Sequence, residues 1–187
     1  MPRPHQTVRL LAVCFLSVVV GGCVSTGDSF GGDQGERRAE SLSQSGRFTD
    51  AAGVYIDMAA TTNGPERDRL TLLAVEQWLF AGDGRRARSG LAQVPTPQSG
   101  ELLWLWSSDA AALSLWEGRP DRALALLEPL SRQVLPADHR ARIEALRADA
   151  YFQKGEPLRA VALYMHCLLY TSPRPRDATL SPLAGSA

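Results

Sequence analysis

The sequence predicts an all-α fold, a solenoid of about four helical hairpins, on three observations. Leu, Ala and Arg are abundant while Val and Ile thin out after the first 25 residues, a composition that favours helix. No segment alternates β-branched residues in the manner of a strand. One pattern recurs four times: a glycine with a small apolar residue seven positions before it, an alanine five after it and a large apolar residue nine after it. The glycines are Gly46, Gly82, Gly118 and Gly155, with steps of 36, 36 and 37 residues. The preceding residues are Ala39, Val75, Ala111 and Ala148; the alanines are Ala51, Ala87, Ala123 and Ala160; the large residues are Tyr55, Leu91, Leu127 and Tyr164. A period in the mid-thirties marks helical arrays in which each unit buries its apolar face against its neighbours.

Physical chemistry explains the spacing. A glycine ends the first helix of each pair by taking the left-handed conformation that β-carbon-bearing residues avoid. Pro120 and Pro157, two residues after their glycines, suit the first turn of the second helix. The alanine lies where the two helices cross closely, and the larger residue one turn on fills the space beside it. The expected pairs are residues 36–45 with 48–60, 66–81 with 84–93, 100–117 with 120–133, and 138–153 with 157–167. Breaks fall at "TTNGPE", "VPTPQSG" and "VLPADH", each rich in Pro or Gly and polar residues. The helix "ELLWLWSSDAAALSLWEG" is the most apolar and carries Trp104, Trp106 and Trp116. These pack between units, or one of them anchors a partner, as exposed tryptophans do at binding hot spots.

Outside this region the chain divides further. Residues 1–22 form an export signal, with Arg3 and Arg9 before an apolar run from Leu10 to Val20 that is too short to span a bilayer. The ending "VGGC", Val20 to Cys23, resembles the lipobox of bacterial lipoproteins: an aliphatic residue, two small residues and a cysteine. That resemblance implies lipidation of Cys23 and cleavage before it, and Val24, in place of the usual inner-membrane retention residue Asp, implies the outer membrane. The alternative is an ordinary signal peptide with an incidental cysteine. Several acyl chains hold a protein on a bilayer where one is marginal. Cleavage removes two arginines and no acid, leaving 18 basic and 20 acidic residues, a net charge of about −2. Cys14 leaves with the signal, so Cys167 is the one thiol left outside the lipid anchor and no internal disulfide is expected. Residues 23–35, rich in Gly, Ser and Asp, read as a flexible tether to the domain at 36–166.

After His166 the chain reads "CLLYTSPRPRDATLSPLAGSA", where Pro173, Pro175 and Pro182 interrupt any helix. The string resembles translated sequencing-adapter read-through, so residues 167–187 read as a non-native tail on a truncated gene, or alternatively as a genuine disordered tail.

No catalytic constellation is present in the sequence. His5, His139 and His166 are scattered, and there is no HExxH, CxxC, G-x-S-x-G or phosphate loop. "AGDGRR" follows a helix rather than a strand, and Glu76, Glu117 and Asp149 read as residues of solvated helix faces. The balanced charge leaves no basic field for nucleic acid. The expectation is a binding protein rather than an enzyme, with no cofactor, metal, nucleic acid or small-molecule substrate.

The four-fold frame resembles the tetratricopeptide repeat, whose second half commonly reads Gly, any residue, Tyr, two residues, Ala, three residues, aromatic. Phe48 fits the first aromatic position, while Gly84, Pro120 and Pro157 replace it in the later copies. The resemblance implies a groove lined by the first helix of each pair, here by Glu76, Phe80, Trp116, Asp149 and Gln153. The stretch "RDRLTLLAVEQWLFAGDGRRARSGLAQVP", Arg67 to Pro95, resembles the N-terminal domain of the penicillin-binding protein activator (LpoA) family of outer-membrane lipoproteins, with the likeness covering roughly residues 36–166. It implies a periplasmic spacer that helps bind and activate a class A penicillin-binding protein in peptidoglycan synthesis. The family's C-terminal solute-binding-type domain, which contacts the synthase, has no counterpart here. The alternatives are a tetratricopeptide lipoprotein adaptor for pilus or outer-membrane protein assembly, and an enzyme whose catalytic domain lies beyond the truncation.

Overall fold

The computed structural model describes the backbone of residues 28–171 and the side chains of residues 32–166. The export signal, Cys23 and the tail after Thr171 lie outside the described residues, as does the side chain of Cys167. Within the described residues the chain is all-helical, without strands. Eight α-helices follow in order: α1 (Asp28–Gln44), α2 (Phe48–Ala60), α3 (Gly64–Phe80), α4 (Gly84–Leu91), α5 (Gly100–Trp116), α6 (Pro120–Leu127), α7 (Ala137–Gln153) and α8 (Pro157–Thr171). Every helix from α1 to α8 packs on the next in the chain, and α3, α5 and α7 also pack on one another in succession.

The turns inside the four pairs are built alike. Gly46, Gly82, Gly118 and Gly155 have φ of 76°, 73°, 70° and 78°. In each, the glycine N–H donates three residues back and the next N–H five residues back, as in Gly82 to Leu79 at 3.0 Å and Asp83 to Trp78 at 2.8 Å. This is the Schellman closure, which satisfies carbonyls that a helix end otherwise leaves bare. Ala39, Val75, Ala111 and Ala148 before the turns, and Ala51, Ala87 and Ala123 after them, are wholly buried, and Ala160 nearly so. Small side chains at both places let the paired helices approach closely.

The core runs along the molecule as successive clusters. Ala39, Ala52, Tyr55, Ala59, Leu70 and Ala74 join α1, α2 and α3. Leu72, Val94 and Leu105 form a second, and Val75, Ala87 and Leu113 a third. Ala111, Leu115, Ala123, Leu127, Leu130, Leu135, Ile143 and Ala150 close the far end.

Three boundaries differ from expectation. Helix α1 starts at Asp28, inside the stretch read as tether. Gly35, within it, lies so close to α2 that a β-carbon there would meet Met58 Sδ at 2.5 Å. Packing thus carries a weak helix former into the helix. The segment read as one helix over 120–133 is α6 followed by a 3-10 turn over Glu128–Arg132. Pro129 has no N–H for an α-helical bond and its ring clashes with the carbonyl four residues back. Helix α8 runs on to Thr171, past residue 167 where the tail was placed.

Candidate interaction surface

One face crosses α3, α5 and α7 and is held together by charge. Arg142 on α7 donates through Nη2 to Asp109 Oδ1 on α5 at 2.7 Å, and its Nη1 contacts Glu76 on α3. Glu76, Asp109 and Arg142 are spaced by 33 residues, one helical turn less than the 36-residue recurrence. Neighbouring odd-numbered helices are therefore offset by about one turn where these groups meet. Asp109 is 0% exposed. Burial, the largest influence, pushes its carboxyl up to about 8 against the opposing pull of Arg142, and Glu76 adds to the rise. Two carboxylates share one guanidinium here, and Asp109 Oδ2 is buried without a hydrogen-bond partner.

The five expected groove residues distribute over this face. Glu76 and Phe80 are one turn apart on α3; Asp149 and Gln153 are one turn apart on α7, with Asp149 two turns beyond Arg142; Trp116 lies two turns beyond Asp109 on α5. Helical spacing thus sets all five on the side marked by the ion cluster. Glu76 is engaged by Arg142. Phe80 is 56% exposed and its ring centroid sits 5.5 Å from that of Phe48. Trp116 is 51% exposed and lies over Gly84, where a β-carbon would meet its ring at 2.5 Å. Asp149 accepts from the Tyr164 hydroxyl, a bond that, with burial, pushes the Tyr164 phenol up to about 12. Gln153 donates to the Leu115 carbonyl at 3.3 Å, tying the end of α7 to that of α5. Among the described residues no hydrogen bond or ion pair joins any two of the five directly; Arg142 and the backbone of α5 make the links.

The three tryptophans of α5 take different roles. Trp104 donates to Gln133 Oε1 at 3.0 Å and its ring sits 5.5 Å from that of His139. Trp106 is half-buried, with an indole N–H that has no partner. Trp116 presents its ring to solvent. Sequence reasoning missed Asp109 and Arg142, although their even spacing with Glu76 was there to be read. Among the described residues no group of three or more His, Cys, Asp or Glu side chains is arranged to hold a metal ion, and no helix is long and apolar enough to cross a membrane. No protein-family model, no curated protein and no solved structure matches the chain.

Proposed function

We propose that the chain is a lipid-anchored, tetratricopeptide-like interaction module at the periplasmic face of the outer membrane, and that its partner is a class A penicillin-binding protein whose peptidoglycan synthesis it helps to activate. The observation that carries the binding role is the pair of half-exposed aromatics, Phe80 and Trp116, on the face that α3, α5 and α7 share. Exposed aromatic rings next to fixed charges are the usual anchors of protein recognition. The lipobox-like Val20–Cys23 supports the anchor and the likeness of Arg67–Pro95 to the activator family supports the partner. In this scheme the helical domain spaces and presents the complex. Activation follows if the bound state of the synthase is the more active one, and is limited by the difference in affinity between its two states.

The test measures binding of the chain to the periplasmic part of a class A penicillin-binding protein, with a Phe80→Ala/Trp116→Ala double variant alongside. Saturable binding that the double variant weakens by about tenfold or more is the expected result. Absence of binding by the native chain sinks the partner assignment. In cells, deleting residues 36–166 while retaining lipidation is expected to lower synthase activation; full activation without them rules out the spacer role.

A second reading has the same aromatic face capture an extended peptide as an assembly adaptor. Phe80 and Trp116 suit this equally, and retained binding to peptides with none to the synthase selects it.

A further inference from the structure

The end of the described array, α7 with α8, carries apolar residues at positions that the inner units bury against the unit that follows. Three residues before the turn glycine, Leu79 packs on the cluster that holds Leu113 of α5, and Leu115 is buried with Ile143 and Ala150 of α7. The equivalent Phe152 is exposed. Six residues after the glycine, Ala52 is buried with Leu70 and Ala74 of α3, and Leu124 packs on the cluster that holds Ile143. Arg88 takes that place in the second unit, and in the last it is Val161, 52% exposed. A second observation belongs to α8 alone. Three residues after the glycine the other units carry Thr49, Arg85 and Asp121, all polar and exposed, whereas α8 carries Leu158, 86% exposed. Leu158, Val161, Ala162 and Met165 thus make an exposed apolar stripe at the i, i+3, i+4, i+7 spacing of a helix seam. Stacking within the array has no use for an apolar residue at the place of Leu158. A helix laid along α8 does.

We propose that this stripe pairs two copies of the chain, with α8 of one antiparallel to α8 of the other about a two-fold axis. A two-fold interface sets one patch against itself and so requires self-complementarity. The stripe has it: Leu158 and Met165 are its large ends, and Val161 and Ala162 its small centre. Run antiparallel, Leu158 of each copy meets Met165 of the other and Val161 meets Ala162, and the small centre lets the axes approach. Arg159 brings no unpaired charge to the seam, since its guanidinium lies 5.5 Å from the Tyr151 ring centroid and 2.8 Å from Glu156 Oε2. Head-to-tail stacking fits less well, because α1 carries Gln34 and Arg38 where α3 presents Leu70 and Ala74 to the unit before it. With Phe152 at the same end of the array, the face offers roughly 600 Å² per copy, and a pair covers about 1,200 Å², the lower end for specific interfaces. The pairing uses neither Phe80 nor Trp116 and does not depend on the partner proposed for them.

The experiment is sedimentation equilibrium of the full-length chain in density-matched detergent, which reads the protein mass alone. The expected result is a monomer–dimer equilibrium with half-dissociation at about micromolar concentration. Val161→Glu and Val161→Lys each set like charges together at the axis and are expected to weaken pairing about tenfold or more. An equal mixture of the two is expected to pair again, which also shows that both variants fold. Phe80→Ala/Trp116→Ala is expected to pair like the native chain. A native chain that stays monomeric overturns the pairing and leaves the stripe to a helix of another protein. Undiminished pairing by Val161→Glu, a mixture that does not recover, or loss of pairing in Phe80→Ala/Trp116→Ala each overturns it too, as does growth into longer chains with concentration, the mark of head-to-tail stacking.

Discussion

Two arginines tie odd-numbered helices together at the same 33-residue spacing, and they do so in opposite environments. On α3, Arg69 meets Glu36 of α1 at 2.6 Å and Glu66 of its own helix at 2.7 Å, at an edge where water reaches all three side chains. On α7, Arg142 meets Asp109 and Glu76 where α5 is covered on both sides by its neighbours. The first arrangement gains little from its charges because water competes for them. In the second, burial makes each polar group depend on the others for its hydrogen bonds. The same spacing thus produces a clip at one end of the molecule and a buried knot at its centre.

The sharpest way to break the comparison is to remove each arginine. Arg142→Met leaves the buried Asp109 carboxyl and Glu76 without their shared partner and is expected to cost about 1–3 kcal/mol in denaturant unfolding, whereas Arg69→Met is expected to cost about 1 kcal/mol or less. Similar losses at the two sites would show that burial does not distinguish them. Titration separates them by sign. Asp109 is raised in the folded state, so its contribution is full below the ordinary carboxylate range and fades as pH climbs towards about 8. Stability relative to Asp109→Asn is therefore expected to fall between roughly pH 5 and 7, with a slope of up to about 1.4 kcal/mol per pH unit. Glu66 is lowered by its bond to Arg69, so its smaller contribution is present at neutral pH and is lost on acidification. Thermal unfolding of the native chain, Asp109→Asn and Glu66→Gln across pH reads both signs.

Packing offers a gentler contrast between the same regions. A β-carbon at Gly90 meets Val75 Cγ2 at 2.7 Å and the Trp78 ring at 2.9 Å, so Gly90→Ala is expected to cost about 1–3 kcal/mol. At Gly35 the obstacle is the movable end of Met58, and alanine improves helix propensity by about 1 kcal/mol. Gly35→Ala is therefore expected to be neutral or stabilising in chemical denaturation. Arg122→Gln, on α6, is expected to leave stability within about 0.5 kcal/mol, since Arg122 is exposed and enters no ion pair among the described residues.

What the sequence disclosed follows the range over which each cause acts. The need for glycine at Gly46, Gly82, Gly118 and Gly155 arises within a few residues, so the pair boundaries could be read directly. The break at Pro129 was equally local, but the surrounding leucines continue a helical rhythm that hides it. The packing of Gly35 within α1 depends on Met58 reaching it from another helix, which no local pattern reports. Asp109, within "WSSDAAAL", reads as a polar residue facing water; only the packing of α3 and α7 on α5 buries it. The five groove residues were legible as helix positions, but their engagement by Arg142, Tyr164 and Leu115 required three-dimensional neighbours.

The knot of Glu76, Arg142 and Asp109 also bears on how the molecule would carry load. Helices that pack chiefly on their chain neighbours yield to a pull one after another, each releasing its own length of chain. A guanidinium shared by α3, α5 and α7 interrupts that sequence, because none of the three can slide without leaving a buried polar group unmatched. Of the outer helices, α1, α2 and α8 lie outside this knot, and α1 is held to α3 by the water-exposed Arg69 clip, so under tension these are expected to peel before the middle gives way. The chain then behaves less like a uniform spring than like two soft leads on either side of a rigid link.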